Sequence, residues 1–436
     1  RTCPSQKTGE GFREPARHMK QRIFGLISAL IGIVIALAAI ELTAIVWLYL
    51  EEGRYVSAEE LFQRTQNTYV RDLTKGTTCR YVDTLYPHPY LAFVHHGNPP
   101  CGLPNVNNIG LLNTDFPTIK RDDVYTVLVV GGSVASQVTQ NIPPPAPRFI
   151  EEELNKRYVS PNGKPFLVLN GGDGAWKEPQ SFILFAMYAS SVDAVIALDG
   201  YNEHYMFRSY TEERLERPLS NFTDVNPFVA DENFGDAAIG WVIGRVAGSL
   251  AQMPILGHSH AAYMIVRGIE AVAKGQDIIK GDKNKKTTLT SIFALPSDIK
   301  GNGDKVFETQ LALYQKYERA IEAVAKANNV KTAYFLQPVP SWGKTLTEDE
   351  KRGASANWTD PVLYRRIVDG MMTLRDQGLP MFDLGDLLKD VKETVYADDI
   401  HFIRDTKGDS KGYRLMATQV VDDLAKAWNL KPKSGN

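Results

Sequence analysis

Apolar positions follow three different rhythms along this chain. Over residues 23–50 they run almost without interruption, and Glu41 is the only charge among them. At ~1.5 Å per residue, such a helix crosses a hydrocarbon layer of ~30 Å. It is also longer than the ~7–15 apolar residues of a signal-peptide core. Over 57–123 the pattern breaks up. Aromatics and turn formers such as Tyr86-Pro87-His88-Pro89-Tyr90 and Gly97-Asn98-Pro99-Pro100 recur there without a period, which predicts an irregular or short-stranded cap. From Val124 onward, short apolar runs alternate with helical stripes. The runs at 125–130, 166–170, 194–198, 332–336 and 381–384 are apolar at alternate and intervening positions alike, the mark of strands covered on both faces in a parallel sheet. Phe307, Leu311, Tyr314, Ile321 and Val324 fall on one helical stripe, and Tyr413, Met416, Ala417, Val420 and Leu424 on another. This alternation predicts an α/β fold, a three-layer α/β/α sandwich around a five-stranded parallel sheet with right-handed crossovers, preceded by an N-terminal transmembrane helix.

One stretch breaks the alternation. Residues 205–303 are too many for an ordinary strand-to-helix connection and read as an insertion. Its segments 237–250 and 261–273 are apolar and helical in pattern, while Arg245 and the shortness of the runs argue against a second membrane crossing. Helices packed over the core are one reading; a lid shaping a substrate cleft, or a face leaning on the bilayer, is the other. The chain thus divides into an N-terminal segment (1–22), an anchor (23–50), a cap (51–123) and an α/β domain (124–430) carrying the insertion.

Charge orients the anchor. Arg13, Arg17, Lys20 and Arg22 precede it, and Glu51, Glu52, Glu59 and Glu60 follow. The positive-inside rule then leaves the N-terminus in the cytoplasm and the bulk of the chain on the periplasmic or extracellular side of the inner membrane. Glu41 falls at the outer interface, with Trp47 and Tyr49 as interfacial aromatics. Cleavage after Ala36-Leu37-Ala38 is the rival reading, opposed by the apolar run continuing through Ile40, Ile45, Val46 and Leu48. Met19-Lys20-Gln21-Arg22 reads as a natural start, which sets the residues before it apart as leader or added sequence.

Composition narrows the partners. The 436 residues are 43% hydrophobic with a net charge of −2, enough for a full core and too balanced to attract nucleic acid. The basic run at 280–286 is interrupted by Gly281, Asp282 and Asn284 and reads as a solvated loop. Cys79 and Cys101 form an even pair in a compartment where disulfides persist. A bridge would close a loop of about 23 residues and contribute ~3 kcal/mol; two free, buried thiols are the alternative. His88, His95 and His96 have no Cys or carboxylate at metal-ligand spacing and read as surface or capping histidines. The sequons at Asn221 and Asn357 matter only in a host that glycosylates them.

Four features stand in order at strand ends. Ser133 follows the first strand in Val130-Gly131-Gly132-Ser133. Asn170-Gly171-Gly172-Asp173-Gly174-Ala175 follows the second, and Asp199-Gly200-Tyr201-Asn202-Glu203 the third. Asp398-Asp399-Ile400-His401 comes after the fifth. In a parallel sheet these ends share one edge. A nucleophilic serine needs a base, the base needs an orienting acid, and the oxyanion needs donors. His401 would take the Ser133 proton, and Asp398 would fix the imidazole tautomer. The backbone N–H of Ser133, an N–H in the second glycine turn and the Asn202 amide would form the oxyanion hole. Glu203 and His204 read as loop residues, with support of the site or lining of the substrate pocket as the alternatives. Trp176 and Lys177 stand where substrate contact is one reading.

These blocks resemble the SGNH, or GDSL-type, hydrolases. That family is marked by a Gly-Asp-Ser serine, a Gly, the Asn of Gly-x-Asn-Asp and the His of Asp-x-x-His. The matching residues are Ser133, the Gly174 region, Asn202, and His401 with Asp398, and Gly412 to Ala417 is similar to the family's closing helix. The resemblance covers roughly 124–428 apart from the insertion, and implies a flavodoxin-like sheet. Gly132 stands where Asp is usual, and Glu203 where Asp is common. Registering on Asn170 and Gly172 selects Ala175 as the second oxyanion donor, whereas residue type selects Gly174; both remain candidates. The resemblance implies a membrane-anchored serine esterase acting through an acyl-serine on carbohydrate or lipid acyl esters, with no metal or organic cofactor. An O-acetyltransferase of envelope polysaccharide, a non-catalytic envelope scaffold and a lipid-binding module built on the inserted helices are the alternatives.

Overall fold

The computed structural model describes residues 14–63, 81–97, 103, 105–139, 147–207, 242, 249, 253–269, 296–354 and 359–433. Cys79, Cys101, the sequon residues Asn221 and Asn357, the basic run and most of the 205–303 insertion lie outside these residues, including the segment 237–250 apart from positions 242 and 249.

Helix α1 (Glu14–Glu52) overruns the predicted anchor at both ends. From Ile23 to Glu52 it is long and apolar enough to cross a membrane, by length and composition. Ile23, Phe24, Leu30, Ile35 and Leu42 stand exposed along it, so this apolar surface finds no cover among the described residues. The cap contributes α2 (Ala58–Gln63), α3 (Tyr81–Thr84) and an antiparallel hairpin of β1 (Leu85–His88) and β2 (Ala92–His95), with Leu85 opposite His95.

The α/β domain begins with β3 (Tyr125–Gly131), followed by α4 (Ser133–Thr139), α5 (Phe149–Arg157), the short β4 (Tyr158–Val159) and β5 (Phe166–Gly172). Next come α6 (Gln180–Tyr188), β6 (Ala194–Asp199) and α7 (Tyr201–Phe207). After the insertion lie α8 (Gly303–Asn328), β7 (Lys331–Leu336), α9 (Glu348–Gly353), α10 (Pro361–Asp376), β8 (Met381–Asp383), α11 (Lys411–Trp428) and β9 (Lys431–Pro432), which pairs with β4. The five predicted strands are therefore present within a residue or two of their expected ends. They form one sheet in the order β5-β3-β6-β7-β8, every pair parallel.

Burial explains the strand pattern. Val127, Leu128, Val129 and Val130 are all fully buried, so both faces of β3 are covered and polar alternation is absent. The helical stripes behave likewise. Phe307, Tyr314 and Ile321 of α8 are buried, with Leu311 and Val324 packed against the core, and all five stripe residues of α11 are buried. Local sequence sets the helix ends. Asn302, Asp360 and Ser410 cap the N-termini of α8, α10 and α11 through their side chains, and Asn329 and Asn429 end α8 and α11 in left-handed conformation.

The strand order places the site. Chain direction across the sheet reverses between β3 and β6, because β5 adds on one side of β3 and all later strands on the other. The crevice at the carboxyl ends of strands flanking such a reversal is where open α/β sheets bind ligands. Ser133 follows β3 and Asn202 lies just past β6, one on each side of it.

Candidate active site

Close approach of three strand ends shapes the turn that carries Ser133. Gly131 has φ +146°, and a Cβ there would sit 2.1 Å from the Leu198 carbonyl oxygen. At Gly132 a Cβ would lie 2.2 Å from Asn202 Nδ2. A side chain at position 132 would therefore displace the Asn202 amide, and glycine lets that amide rest directly on the turn. Ser133 opens α4, so its N–H lies in the first turn, where no intrahelical acceptor is available. The residue is 8% exposed.

His401 reaches Ser133 from the far end of the chain, with Nε2 2.7 Å from Oγ. Its Nδ1 faces both carboxylate oxygens of Asp398 at 3.0 Å. With the Nδ1 proton donated to Asp398, Nε2 is left as an acceptor for the serine hydroxyl. Asp398 Oδ1 also accepts the N–H groups of Ile400 at 3.0 Å and His401 at 2.8 Å. Burial alone would push the Asp398 carboxyl up; the His401 imidazole and these donors outweigh it and hold the group well below the usual carboxylate range.

The loop bearing these two residues is closed like a small hairpin. Tyr396 bridges Phe402, Ala397 N–H donates to the His401 carbonyl at 2.8 Å, and Ile403 N–H donates to the Val395 carbonyl at 2.8 Å. Its base is held by Glu350 of α9, whose Oε1 accepts the N–H groups of Val395 and Tyr396 at 2.9 and 3.1 Å. Glu350 Oε2 pairs with Lys344 Nζ at 2.8 Å, with both side chains wholly shielded from solvent. Tyr201, beside Asn202, donates its hydroxyl to Asp399 in the same loop.

The turn after β5 separates the two oxyanion candidates. Gly174 N–H donates to Asp173 Oδ1 at 2.6 Å, so the donor selected by residue type is already engaged. Ala175 adopts φ +64°, which is rare for a residue with a side chain, and among the described residues its N–H has no acceptor. The backbone register thus identifies the available donor. Asn202 Nδ2 donates to the Trp176 carbonyl at 2.7 Å, and an amide NH2 retains a second hydrogen.

The cap supplies a support that the sequence did not mark, and Glu203 takes the supporting role that was one of its readings. His95, expected at the surface or as a cap, is 3% exposed, and its Nε2 lies 3.0 Å from Asp173 Oδ1. Its Nδ1 meets Thr84 Oγ1 at 3.1 Å, and Tyr81 donates to the same Asp173 oxygen at 3.1 Å, so the cap hairpin braces the Gly174-Ala175 turn. Glu203 and His204 are buried. Glu203 accepts the N–H groups of Gly200 at 2.7 Å and Glu178 at 3.1 Å, fixing the start of the Asn202 turn. Trp176 and Lys177 do not project from the surface. Trp176 packs edge-on against Phe93, and Lys177 Nζ donates to the Glu178 carbonyl at 3.2 Å.

A buried acidic group lies beside this turn. Asp199 ends β6 and accepts from the Tyr314 hydroxyl. Glu178, Asp199 and Glu318 each present an oxygen, all within 4.8 Å of one another. Among the described residues these three have the spacing to hold a cation. Burial pushes all three carboxyls up, which equally lets them share protons.

The arrangement supplies a hydroxyl, a proton acceptor fixed by a carboxylate, and donors around one crevice, the parts needed for acyl transfer. A scan against known protein families finds no match, and a search of curated proteins finds no relative.

Proposed function

We propose that this chain is an SGNH-type serine ester hydrolase, a three-layer α/β/α sandwich held outside the cytoplasmic membrane by α1. The observation that carries the reading is the 2.7 Å approach of His401 Nε2 to Ser133 Oγ, with Asp398 behind the imidazole. Ser133 Oγ would attack the ester carbonyl while its proton passes to His401 Nε2. Collapse of the tetrahedral intermediate would break the bond to the alcohol oxygen, which takes that proton as it leaves. Water, deprotonated by His401, would then release the acid and restore Ser133. The N–H groups of Ser133 and Ala175 and the Asn202 amide are the donors proposed for the oxyanion, and each donor of this kind is worth ~3–4 kcal/mol in the chemical step. Placement beside the envelope makes acyl esters of glycans or lipids the substrate class.

The test combines a serine-directed fluorophosphonate with a panel of acyl esters, applied to the wild type and Ser133→Ala. Wild-type protein should label at Ser133 and turn over at least one ester. Ser133→Ala should lose both while keeping its circular dichroism spectrum and melting temperature. Equal labelling of the variant would remove Ser133 as nucleophile. Recovery of free acid, as opposed to acylated glycan, would distinguish hydrolysis from transfer.

A further inference from the structure

Glu41, the one charge within the apolar stretch of α1, is engaged by the insertion. Its Oε2 accepts from the Ser259 hydroxyl at 2.6 Å and from Ala261 N–H at 3.1 Å. Its Oε1 accepts His260 N–H at 2.7 Å and faces His260 Nδ1 at 3.1 Å. Residues 260–269 are helical, and the first N–H groups of a helix lack internal acceptors. A carboxylate from α1 therefore caps this helix and complements its dipole. His260 Nε2 meets the Val56 carbonyl at 2.9 Å. Further along α1, Glu51 holds Arg267 by two bonds of 2.7 and 2.9 Å. The two contacts lay segment 260–269 beside α1, running in the same direction. Apolar contact fills the space between, with Tyr263 and Met264 packed on Leu48, Val56 and Leu61.

This pairing fixes a level along the anchor. Measured from Ile23 at ~1.5 Å per residue, Glu41 lies ~27 Å up the helix, close to the ~30 Å of a hydrocarbon core. The N-terminus of segment 260–269 therefore sits where α1 leaves the apolar layer, together with the turn that leads into it. That turn, Met253-Pro254-Ile255-Leu256-Gly257, contains no charge. Met253 and Ile255 expose 48% and 83% of their surface. Trp47, Tyr49 and Tyr55, side chains suited to the headgroup layer, are exposed nearby on and after α1.

We propose that turn 253–257 is a second membrane contact, with Met253 and Ile255 seated between phospholipid headgroups and the upper acyl chains of the leaflet from which α1 emerges. Glu41 is the latch that holds the turn there. The inference rests on the reading of α1 as a membrane span and is independent of the ester chemistry. Two contacts, unlike a single helix, restrict how the attached domain can tilt over the bilayer.

The test uses the full chain in phosphatidylcholine vesicles. An environment-sensitive fluorescent amino acid replaces Ile255, Leu30 or Lys351 in turn, and quenching by a phospholipid carrying a nitroxide high on its acyl chain is measured. Position 30 should be shielded from water and quenched, and position 351 should be neither. Position 255 should be quenched at least twofold more than 351, and Glu41→Ala should bring it down to the level of 351 with position 30 unchanged. Quenching at 30 but not at 255 would overturn the second contact and leave the span standing. Absence of quenching at 30 would overturn the span and this inference with it. Undiminished quenching at 255 in Glu41→Ala would overturn the latch.

Discussion

The Tyr201 hydroxyl donates to the Asp399 carboxylate, tying the turn that presents Asn202 to the loop that presents His401. Burial pushes the Asp399 carboxyl up, and the tyrosine bond works against that shift. Tyr201→Phe removes the donor and should cost about 1–3 kcal/mol of stability, read from urea unfolding. If the tie aligns oxyanion donor and base, kcat should fall about tenfold or more with KM little changed. Unchanged kcat in a destabilised protein would reduce Tyr201 to a structural brace.

Asp398→Asn keeps the shape of the side chain but removes its charge, and should lower turnover by three to four orders of magnitude, roughly the cost of such a change in serine triads. The substitution also predicts a pH signature. The Asp398 carboxyl is depressed in the folded state, so its ionised form contributes stability above the unfolded value of ~3.9, a contribution lost as pH falls toward the folded one. The melting-temperature gap between wild type and Asp398→Asn should be constant above about pH 5 and narrow below about pH 4. A gap that widens in acid would contradict a depressed Asp398 carboxyl.

Gly132→Ala is a probe of the contact with Asn202. The added methyl would begin 2.2 Å from Asn202 Nδ2 and 3.1 Å from the Trp176 carbonyl, so the amide must move. Turnover should drop at least a hundredfold, in the range expected for loss of one oxyanion donor, while fluorophosphonate labelling of Ser133 slows in parallel. Wild-type rates would show that Asn202 is dispensable.

Glu350→Gln leaves the Lys344 charge shielded from solvent without its partner and weakens the hold on Val395 and Tyr396. Loss of one member of such a pair costs about 3–5 kcal/mol. Chemical denaturation should register that loss. Lys344→Met combined with Glu350→Gln should recover part of it, because the stranded charge is gone.

What was legible in the sequence follows a physical divide. The strands could be read because both faces of each are covered, which turns a three-dimensional fact into an unbroken apolar run, as at Val127 to Val130. Ser133, Asn202 and His401 could be read because parallel topology sends strand ends to one edge. The pairings of Glu350 with the Val395 turn, His95 with Asp173, and Tyr201 with Asp399 left no local trace, since each joins polar residues whose partner is chosen by packing. Gly132 looked like a departure from a motif, and only the nearby Asn202 amide explains it. The choice between Gly174 and Ala175 needed the backbone, because a side chain, that of Asp173, decides which N–H is taken.

Ser133 and His401 lie 268 positions apart in the chain, and the ribosome delivers them in that order. A nascent polypeptide therefore carries the Ser133 hydroxyl without its imidazole partner until the segment 395–403 has emerged and closed over the β3 end. If Ser133 is the nucleophile proposed above, a product truncated before residue 395 lacks the imidazole that would activate it and should turn over no ester.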